Sequence, residues 1–262
     1  MQKIWSTIKG SGPLVATAIH NGNYVREDLR KIMVLNKDSQ LREEDPYTEI
    51  WTSVGDTKIV GLHSRFEVDL NRPREKAVYI KPEDAWGLDV WKNEPSLDLV
   101  NRSLAGYDDF YSELKTVFSD IEKEFKYFVV FDLHSYNHKR NGTDGEIANP
   151  KENPEVNIGT GTVNKKIWGS LVEKFISDLS AYKYFNRNLD VRENVKFKGA
   201  QLSRWTHENF PNSGCSLSIE FKKFFMDEWS GIPDMKQIEE IRLALKSTVP
   251  GVLEELEKLS KN

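Results

Sequence analysis

The sequence predicts an α/β fold: a single three-layer α/β/α domain, residues 1–262, whose central sheet is mixed and mostly parallel. Short apolar runs alternate with helical patterns, as expected when helices cover both faces of a sheet. Residues 127–133 (YFVVFDL) form a near-continuous apolar run, which is typical of a buried central strand. Because apolar residues make up 38% of the chain and no linker or repeat interrupts it, we expect one folded domain and not a disordered chain.

The first half of the chain begins with a strand. Residues 14–19 (LVATAI) form a compact β-type run that ends at His20, and residues 26–35 have weak helical character. Residues 58–70 predict two strands, KIVGL and RFEVDL. Residues 107–125 have apolar side chains at helical spacing and two aspartates in the first turn, where the helix dipole favours negative charge. This spacing predicts a long helix.

The second half continues the alternation of strands and helices. The predicted elements are a central strand over 127–133 that ends at His134, a surface loop over 137–153, a helix over 165–179, a strand over 215–221, and a helix over 234–259 that is broken at Pro250. We therefore expect a sheet with helices on both faces.

Composition excludes several classes of partner. The chain has 37 basic and 41 acidic residues, and this balance gives no reason to expect nucleic acid or an anionic membrane as a partner. No window approaches roughly 18 uninterrupted apolar residues, so we expect no transmembrane segment and a cytoplasmic location. The single cysteine, Cys215, excludes an intramolecular disulfide and a cysteine-based zinc cluster. The oligomeric state stays open.

Polar residues occur at the ends of three predicted strands. His20 follows the first strand, His134 follows the central strand, and Glu220 lies inside the last one. Functional groups of open α/β sheets gather just past the carboxyl ends of strands. Two histidines and a carboxylate are the usual ligands of a hydrolytic zinc site, and a separate carboxylate moves the proton of the attacking water. A structural, hydrogen-bonded role remains the alternative for each residue taken alone.

A second polar patch covers residues 64–73 (SRFEVDLNRP). Alternation along a strand places its charged side chains on one face, so we expect Arg65 to pair with a carboxylate there. Asn71 and Arg72 follow at the strand end, where an arginine can bind a ligand carboxylate through two hydrogen bonds. A salt-bridged strand face without any ligand is the alternative for Arg65.

These segments resemble the N-formylglutamate amidohydrolase family and, more remotely, the zinc carboxypeptidase and aspartoacylase enzymes. The matching segments are 18–22 (AIHNG), 44–49 (EDPYTE), 64–73 (SRFEVDLNRP), 132–135 (DLHS), 218–221 (SIEF) and 225–228 (FMDE). They run in family order over most of the chain. The ordered combination, more than any one motif, makes the resemblance specific.

The resemblance implies a zinc carboxypeptidase-like fold and a zinc-dependent amidohydrolase with one zinc ion. The implied substrate is a small, anionic N-acyl amino acid such as N-formylglutamate. By the same resemblance, His20 and His134 are zinc ligands and Glu220 is the general base that activates the water.

The resemblance also implies contacts with the substrate. Arg65 matches an arginine that supports the polarised carbonyl group, and Asn71 with Arg72 matches a pair that holds a substrate carboxylate. Residues 199–205 precede the Glu220 strand, and we expect Arg204 to contact an anionic substrate from there. A surface hairpin is the alternative for this segment.

The third metal ligand departs from the carboxypeptidase pattern. That pattern places a glutamate three positions after the first histidine, where this chain has Asn23. The formylglutamate-type pattern implies an acidic residue within 45–49, and Glu49 is our choice. Glu27 and Asp28 are the alternatives, because a helix after the first strand would bring either back towards His20.

Two other functions stay open at this point. The first is a zinc peptidase or amidase that acts on a peptide or a cell-wall fragment, which a large open groove would favour. The second is a small-molecule binding protein that keeps the fold without turnover, which would fit the missing glutamate of the carboxypeptidase pattern.

Overall fold

In the computed structural model, which describes residues 3–139 and 141–261, seven strands form one mixed sheet. The strands are β1 (Trp5–Ile8), β2 (Leu14–Ala18), β3 (Thr57–Gly61), β4 (Phe128–Tyr136), β5 (Val156–Gly159), β6 (Val191–Glu193) and β7 (Gly214–Lys222). Their order across the sheet is β1-β3-β2-β4-β7-β5-β6. Only β1 with β3 and β5 with β7 pair in antiparallel fashion within these described residues. The predicted α/β class with a mixed, mostly parallel sheet is confirmed.

Helices cover both faces of this sheet. They are α1 (Glu27–Arg30), α2 (Lys37–Glu43), α3 (Thr48–Trp51), α4 (Leu97–Phe125), α5 (Lys165–Ala181), α6 (Gln201–Asn209) and α7 (Met235–Lys261). None of the helices in residues 3–139 and 141–261 combines the length and the apolar composition that crossing a lipid bilayer requires.

Side chains of β4 alternate between two hydrophobic cores. Val129, Phe131 and Leu133 pack in one core with residues of α5 and α7. Phe128 and Val130 pack in the other core with residues of α4. Because successive side chains of a strand point to opposite faces, β4 is a central strand buried on both sides. This explains why its sequence is apolar at nearly every position.

Two helices differ from their predicted bounds. Helix α4 begins at Leu97, ten residues before the predicted start, because the Ser96 side chain caps it by accepting a hydrogen bond from the Leu99 N–H. Val100 and Leu104 extend the apolar spacing of the helix towards its start, and both pack partly buried against the core. Helix α7 continues through Pro250, where a break was predicted, because residues on both sides of the proline, such as Leu245 and Val252, are buried in the same core.

Residues 65–67 form a turn, and the predicted RFEVDL strand is wrong. The backbone N–H groups of Glu67 and Val68 both donate to the carbonyl of Ser64, at 2.9 and 3.3 Å. The alternation that predicted a strand with one charged face is misleading, because Glu67 and Asp69 are both buried. Buried carboxylates need partners, and distant parts of the chain supply them.

Candidate metal and substrate site

The predicted histidines meet at one edge of the sheet. Strands β2, β4 and β7 are parallel neighbours, so their carboxyl ends lie together. His20 lies two residues after β2 and His134 lies near the end of β4, and their ring centroids are 5.0 Å apart. Asp45, in the connection between α2 and α3, joins them. One potential ligand atom from each of these three buried residues lies within 4.8 Å of the other two.

Asp45, and not the predicted Glu49, lies between the two histidines. Its Oδ2 lies 3.4 Å from Nδ1 of His20 and 3.0 Å from Nδ1 of His134. The backbone N–H of Asp45 donates to the His20 carbonyl at 2.9 Å, which fixes the two residues together. We name the three residues His20, Asp45 and His134 the HDH cluster.

Glu49 lies outside the HDH cluster, and the choice of this residue is corrected. The chain turns at Tyr47, which has a left-handed φ of 69°, and α3 then carries Glu49 to an exposed position. There its carboxylate accepts a hydrogen bond from the Asn21 side chain at 3.3 Å. The alternatives also lie elsewhere: Glu27 is exposed, and Asp28 pairs with Arg26 and Arg102.

The far side of each imidazole ring faces another carboxylate. Nε2 of His20 lies 2.7 Å from Oδ1 of Asp69, and Nε2 of His134 lies 3.1 Å from Oδ1 of Asp132. Histidines that ligate metals almost always donate their second ring N–H to such an acceptor, which fixes the tautomer and the ring orientation. Both Nδ1 atoms are thereby directed towards Asp45.

Neighbouring groups shift the pKa values of the HDH cluster. Burial alone would lower the pKa of His134, but the Asp132 and Glu220 carboxylates hold it well above its ordinary value. Burial alone would raise the pKa of Asp45, but hydrogen bonds from His134 and His20 keep it below its ordinary value. The carboxylates beside His134 therefore favour positive charge at this ring.

Glu220 lies beside the HDH cluster. Its backbone position on β7 pairs with His134 on β4, so both side chains project from the same face of the sheet. Burial raises the pKa of Glu220 to about 7. The Ser218 hydroxyl donates a hydrogen bond to its carboxylate at 3.3 Å. The Glu220 carboxylate therefore lies next to the HDH cluster without belonging to it.

Arg65 pairs with a carboxylate, as predicted. Its Nη2 lies 2.8 Å from Oδ2 of Asp69, and its Nε donates to the Tyr79 hydroxyl at 3.2 Å. The Tyr79 hydroxyl itself donates to Asp69. The Trp86 ring lies under the Arg65 guanidinium, with 4.8 Å between the centres. Asp69 thus joins Arg65 to His20. The sequence alone does not distinguish this aspartate from one that is exposed to solvent.

Asn71 and Arg72 lie in different environments. The Asn71 carboxamide lies against protein atoms: Oδ1 accepts from the Leu202 N–H at 2.9 Å, and Nδ2 lies 3.2 Å from Nε2 of His134. The Arg72 guanidinium stacks on Tyr79 at 4.5 Å and faces the cavity. Arg72 is therefore better placed than Asn71 to contact a ligand.

One cavity of about 670 Å³ contains these groups. Its basic residues are Arg42, Arg65, Arg72, Lys76, Lys196, Arg204 and Lys223, and its acidic residues are Glu43, Asp45 and Glu220. Arg204 enters this wall from α6, which is a helix and not the surface hairpin that was the alternative. The excess of basic side chains favours an anionic ligand.

The donor set of the HDH cluster fits a divalent metal ion. Two imidazoles and one carboxylate are the protein ligands of catalytic zinc sites, which leave one position for water. The carboxylates behind both rings supply the outer hydrogen bonds that such sites use. The cluster therefore has both the ligands and the supporting contacts of a metal centre.

A protein-family profile matches most of the chain. The sequence profile of the N-formylglutamate amidohydrolases matches residues 12–225. No curated protein matches the chain significantly.

Solved structures share the fold. N-formylglutamate amidohydrolase from Ralstonia eutropha is similar over 99% of both chains, with a TM-score of 0.74 and 16% sequence identity. A gene product from Agrobacterium tumefaciens is similar over 97% of this chain and 96% of its own, with a TM-score of 0.73 and 16% identity. Carboxypeptidase A from Helicoverpa armigera is more distant, with a TM-score of 0.47 and 11% identity over 98% of this chain and 66% of its own.

Proposed function

The chain belongs to the N-formylglutamate amidohydrolase family, and from this premise we propose that it is a zinc-dependent hydrolase of a small N-acyl amino acid such as N-formylglutamate. One observation supports the proposal most directly: the HDH cluster, Glu220 and several basic side chains line the same cavity. The products are a carboxylic acid and a free amino acid.

In this proposal His20, Asp45 and His134 hold one zinc ion. When bound, the ion supplies Lewis acidity, which polarises a carbonyl oxygen and makes a water molecule more acidic. The remaining tasks, which are proton transfer, orientation and charge stabilisation, belong to side chains of this chain.

Glu220 performs the proton transfers. Its carboxylate accepts a proton from the water as the water oxygen attacks the amide carbon, and it passes this proton to the leaving nitrogen when the C–N bond breaks. Its position beside His134 supports this role, since a general base must lie within hydrogen-bond reach of the attacking water.

Arg65 and Arg72 bind the charged parts of the substrate. Arg65, fixed by Asp69 and Tyr79, is oriented to stabilise negative charge that develops on the carbonyl oxygen. Arg72 anchors the substrate carboxylate, and Arg204 adds positive charge to the same wall. Asn71 has no assigned contact with the substrate, because its carboxamide oxygen already accepts a hydrogen bond from the Leu202 N–H.

The alternatives are less favoured. A cavity of about 670 Å³ lies in the range typical of small-molecule sites, which favours a small substrate over a peptide or a cell-wall fragment. The idea of a binding protein without turnover rests on a missing acidic ligand, and Asp45 offers an acidic residue beside both histidines.

A direct test is hydrolysis of N-formylglutamate, N-acetylglutamate and a neutral dipeptide before and after metal removal. We expect turnover of an acidic N-acyl amino acid, nearly complete loss after treatment with a chelator, and recovery when zinc is restored. Circular dichroism of the chelated protein checks that the fold is kept. Full turnover by protein that elemental analysis finds free of metal would contradict the proposal.

Arg72→Leu is expected to raise KM for the acidic substrate by about 10- to 100-fold, because a hydrogen-bonded charge contributes about 1.5–3 kcal/mol. We expect a smaller change in kcat, since the carboxylate is bound before and during the reaction. Arg74→Leu is the matched control. This arginine is exposed, pairs with Asp108 at 2.6 Å and does not line the cavity, so KM should not change. Equal KM values for the two variants would refute the anchoring role of Arg72.

A further inference from the structure

The end of helix α2 is held by basic side chains from the site. Three successive backbone carbonyls, those of Arg42, Glu43 and Glu44, accept hydrogen bonds there. Nζ of Lys223 donates to the Arg42 carbonyl at 2.6 Å and to the Glu44 carbonyl at 2.7 Å. Nη1 of Arg65 donates to the Glu43 carbonyl at 3.2 Å. Carbonyls at a helix C-terminus lack intrahelical partners, and positive charge is favourable there.

Lys223 is fixed where it lies. Its side chain is only 1% exposed, and its backbone N–H donates to the carbonyl of Tyr136 at 3.0 Å, at the end of β4. It directly follows β7, three residues after Glu220. Burial of an ammonium group is costly unless it is hydrogen-bonded, so this position is stable only with the two carbonyls in place.

The bond from Lys223 to Glu44 acts on the peptide group that leads into Asp45. The N–H of that same peptide group belongs to Asp45 and donates to the carbonyl of His20 at 2.9 Å. The peptide plane is therefore held at its oxygen by Lys223 and at its nitrogen by His20. These two hydrogen bonds fix the orientation of the peptide group. They therefore determine the direction in which the Asp45 side chain leaves the backbone, close to His134.

We propose that Lys223 is a positioning residue, which holds the Glu44–Asp45 peptide group so that the Asp45 carboxylate is presented to the metal ion. The proposal rests on the proposed function, because it assumes that the HDH cluster binds a metal. It goes beyond that function by linking the strand of Glu220 to the third ligand. Lys223 contacts neither substrate nor metal in this role.

A merely structural lysine is available for comparison one residue earlier. Lys222 is also buried, with 9% exposure, and its Nζ donates to the carbonyl of Asn153 at 3.1 Å. That bond is of the same kind but has no connection to Asp45. Lys222→Met therefore removes a buried hydrogen bond from a lysine to a backbone carbonyl and serves as the matched control.

The test measures zinc(II) affinity by competition with a chromophoric chelator, together with the thermal unfolding of the metal-free proteins. We expect Lys223→Met to weaken zinc binding by about 10- to 100-fold, which is the usual effect of removing a residue that orients a ligand. Lys222→Met should bind zinc within about twofold of wild type by the same principle, even where its unfolding temperature falls. Lys223→Gln, which keeps one donor, should give an intermediate loss.

A double-mutant cycle with Asp45→Ala separates positioning from general destabilisation. If Lys223 acts through Asp45, adding Lys223→Met to Asp45→Ala should change zinc affinity little. Equal losses in both backgrounds, or an equal loss in Lys222→Met, would overturn the proposal. Should Lys223→Met fail to fold, unchanged zinc affinity in Lys223→Gln would overturn it as well.

Failure of this proposal is distinguishable from failure of the proposed function. Wild-type protein that binds zinc, with Lys223→Met binding it equally well, would contradict the role of Lys223 alone. Wild-type protein that binds no zinc would contradict the proposed function and this inference together.

Discussion

Asp45→Asn is expected to weaken zinc binding by about 100-fold or more and to lower turnover at limiting zinc in the same proportion. Four-ligand zinc sites bind with roughly 10–16 kcal/mol, so one ligand contributes about 3 kcal/mol. The asparagine keeps the size of the side chain and the backbone hydrogen bond to His20, so the change removes mainly the negative charge. Zinc affinity measured by chelator competition checks this result.

Glu49→Gln is the matched control for this change. It removes the same charge four residues later, from an exposed side chain that contacts Asn21 and not the histidines. Zinc affinity should stay at the wild-type value. The opposite pattern, with loss in Glu49→Gln and none in Asp45→Asn, would restore Glu49 as the third ligand and contradict the structural assignment.

Glu220→Gln is expected to lower kcat by about 10²- to 10⁴-fold while zinc remains bound, because an amide cannot accept the proton of the attacking water. The replacement keeps the shape of the side chain and removes a buried charge whose burial is unfavourable. We therefore expect no loss of thermal stability. Steady-state kinetics, elemental analysis and thermal unfolding of the same preparation separate these effects.

Glu208→Gln controls for the change in net charge. Glu208 is exposed on α6, outside the cavity, so this variant should keep wild-type kcat. Near-normal kcat in Glu220→Gln would remove Glu220 from the mechanism. Loss of zinc in that variant would instead make Glu220 a ligand.

The sequence predicts those parts of the site that local pattern encodes. His20 and His134 are identified because each follows or ends an apolar strand, and the strands are recognisable from their own residues. Parallel neighbours bring their carboxyl ends together, so the histidines meet. Similarly, alternation of apolar runs and helical spacing is sufficient to predict the α/β class.

Asp45 is missed because its position depends on contacts between distant parts of the chain. It lies in a short connection between two helices, where the left-handed turn at Tyr47 directs the following residues away. The hydrogen bond that holds its peptide group comes from Lys223, 178 positions later in the sequence. The spacing from His20 gives no information about that contact. The sequence alone therefore does not distinguish Asp45 from the nearby Glu49 as the third metal ligand.

The predicted strand over 65–70 fails for a related reason. Alternating charged and apolar residues are typical of a half-exposed strand. Here Arg26 supplies hydrogen bonds to Glu67, and Arg65 pairs with Asp69, so both carboxylates are buried without a strand. Periodicity cannot distinguish a solvated carboxylate from one that a distant arginine neutralises.

The most direct test of the metal centre is an anomalous difference map from crystals of the wild-type protein, with data collected on both sides of the zinc absorption edge. The expected result is a peak between His20, Asp45 and His134 that disappears below the edge. The absence of any peak among these three side chains in crystals grown with zinc, or a zinc peak held by other residues, would contradict the assignment of this metal centre.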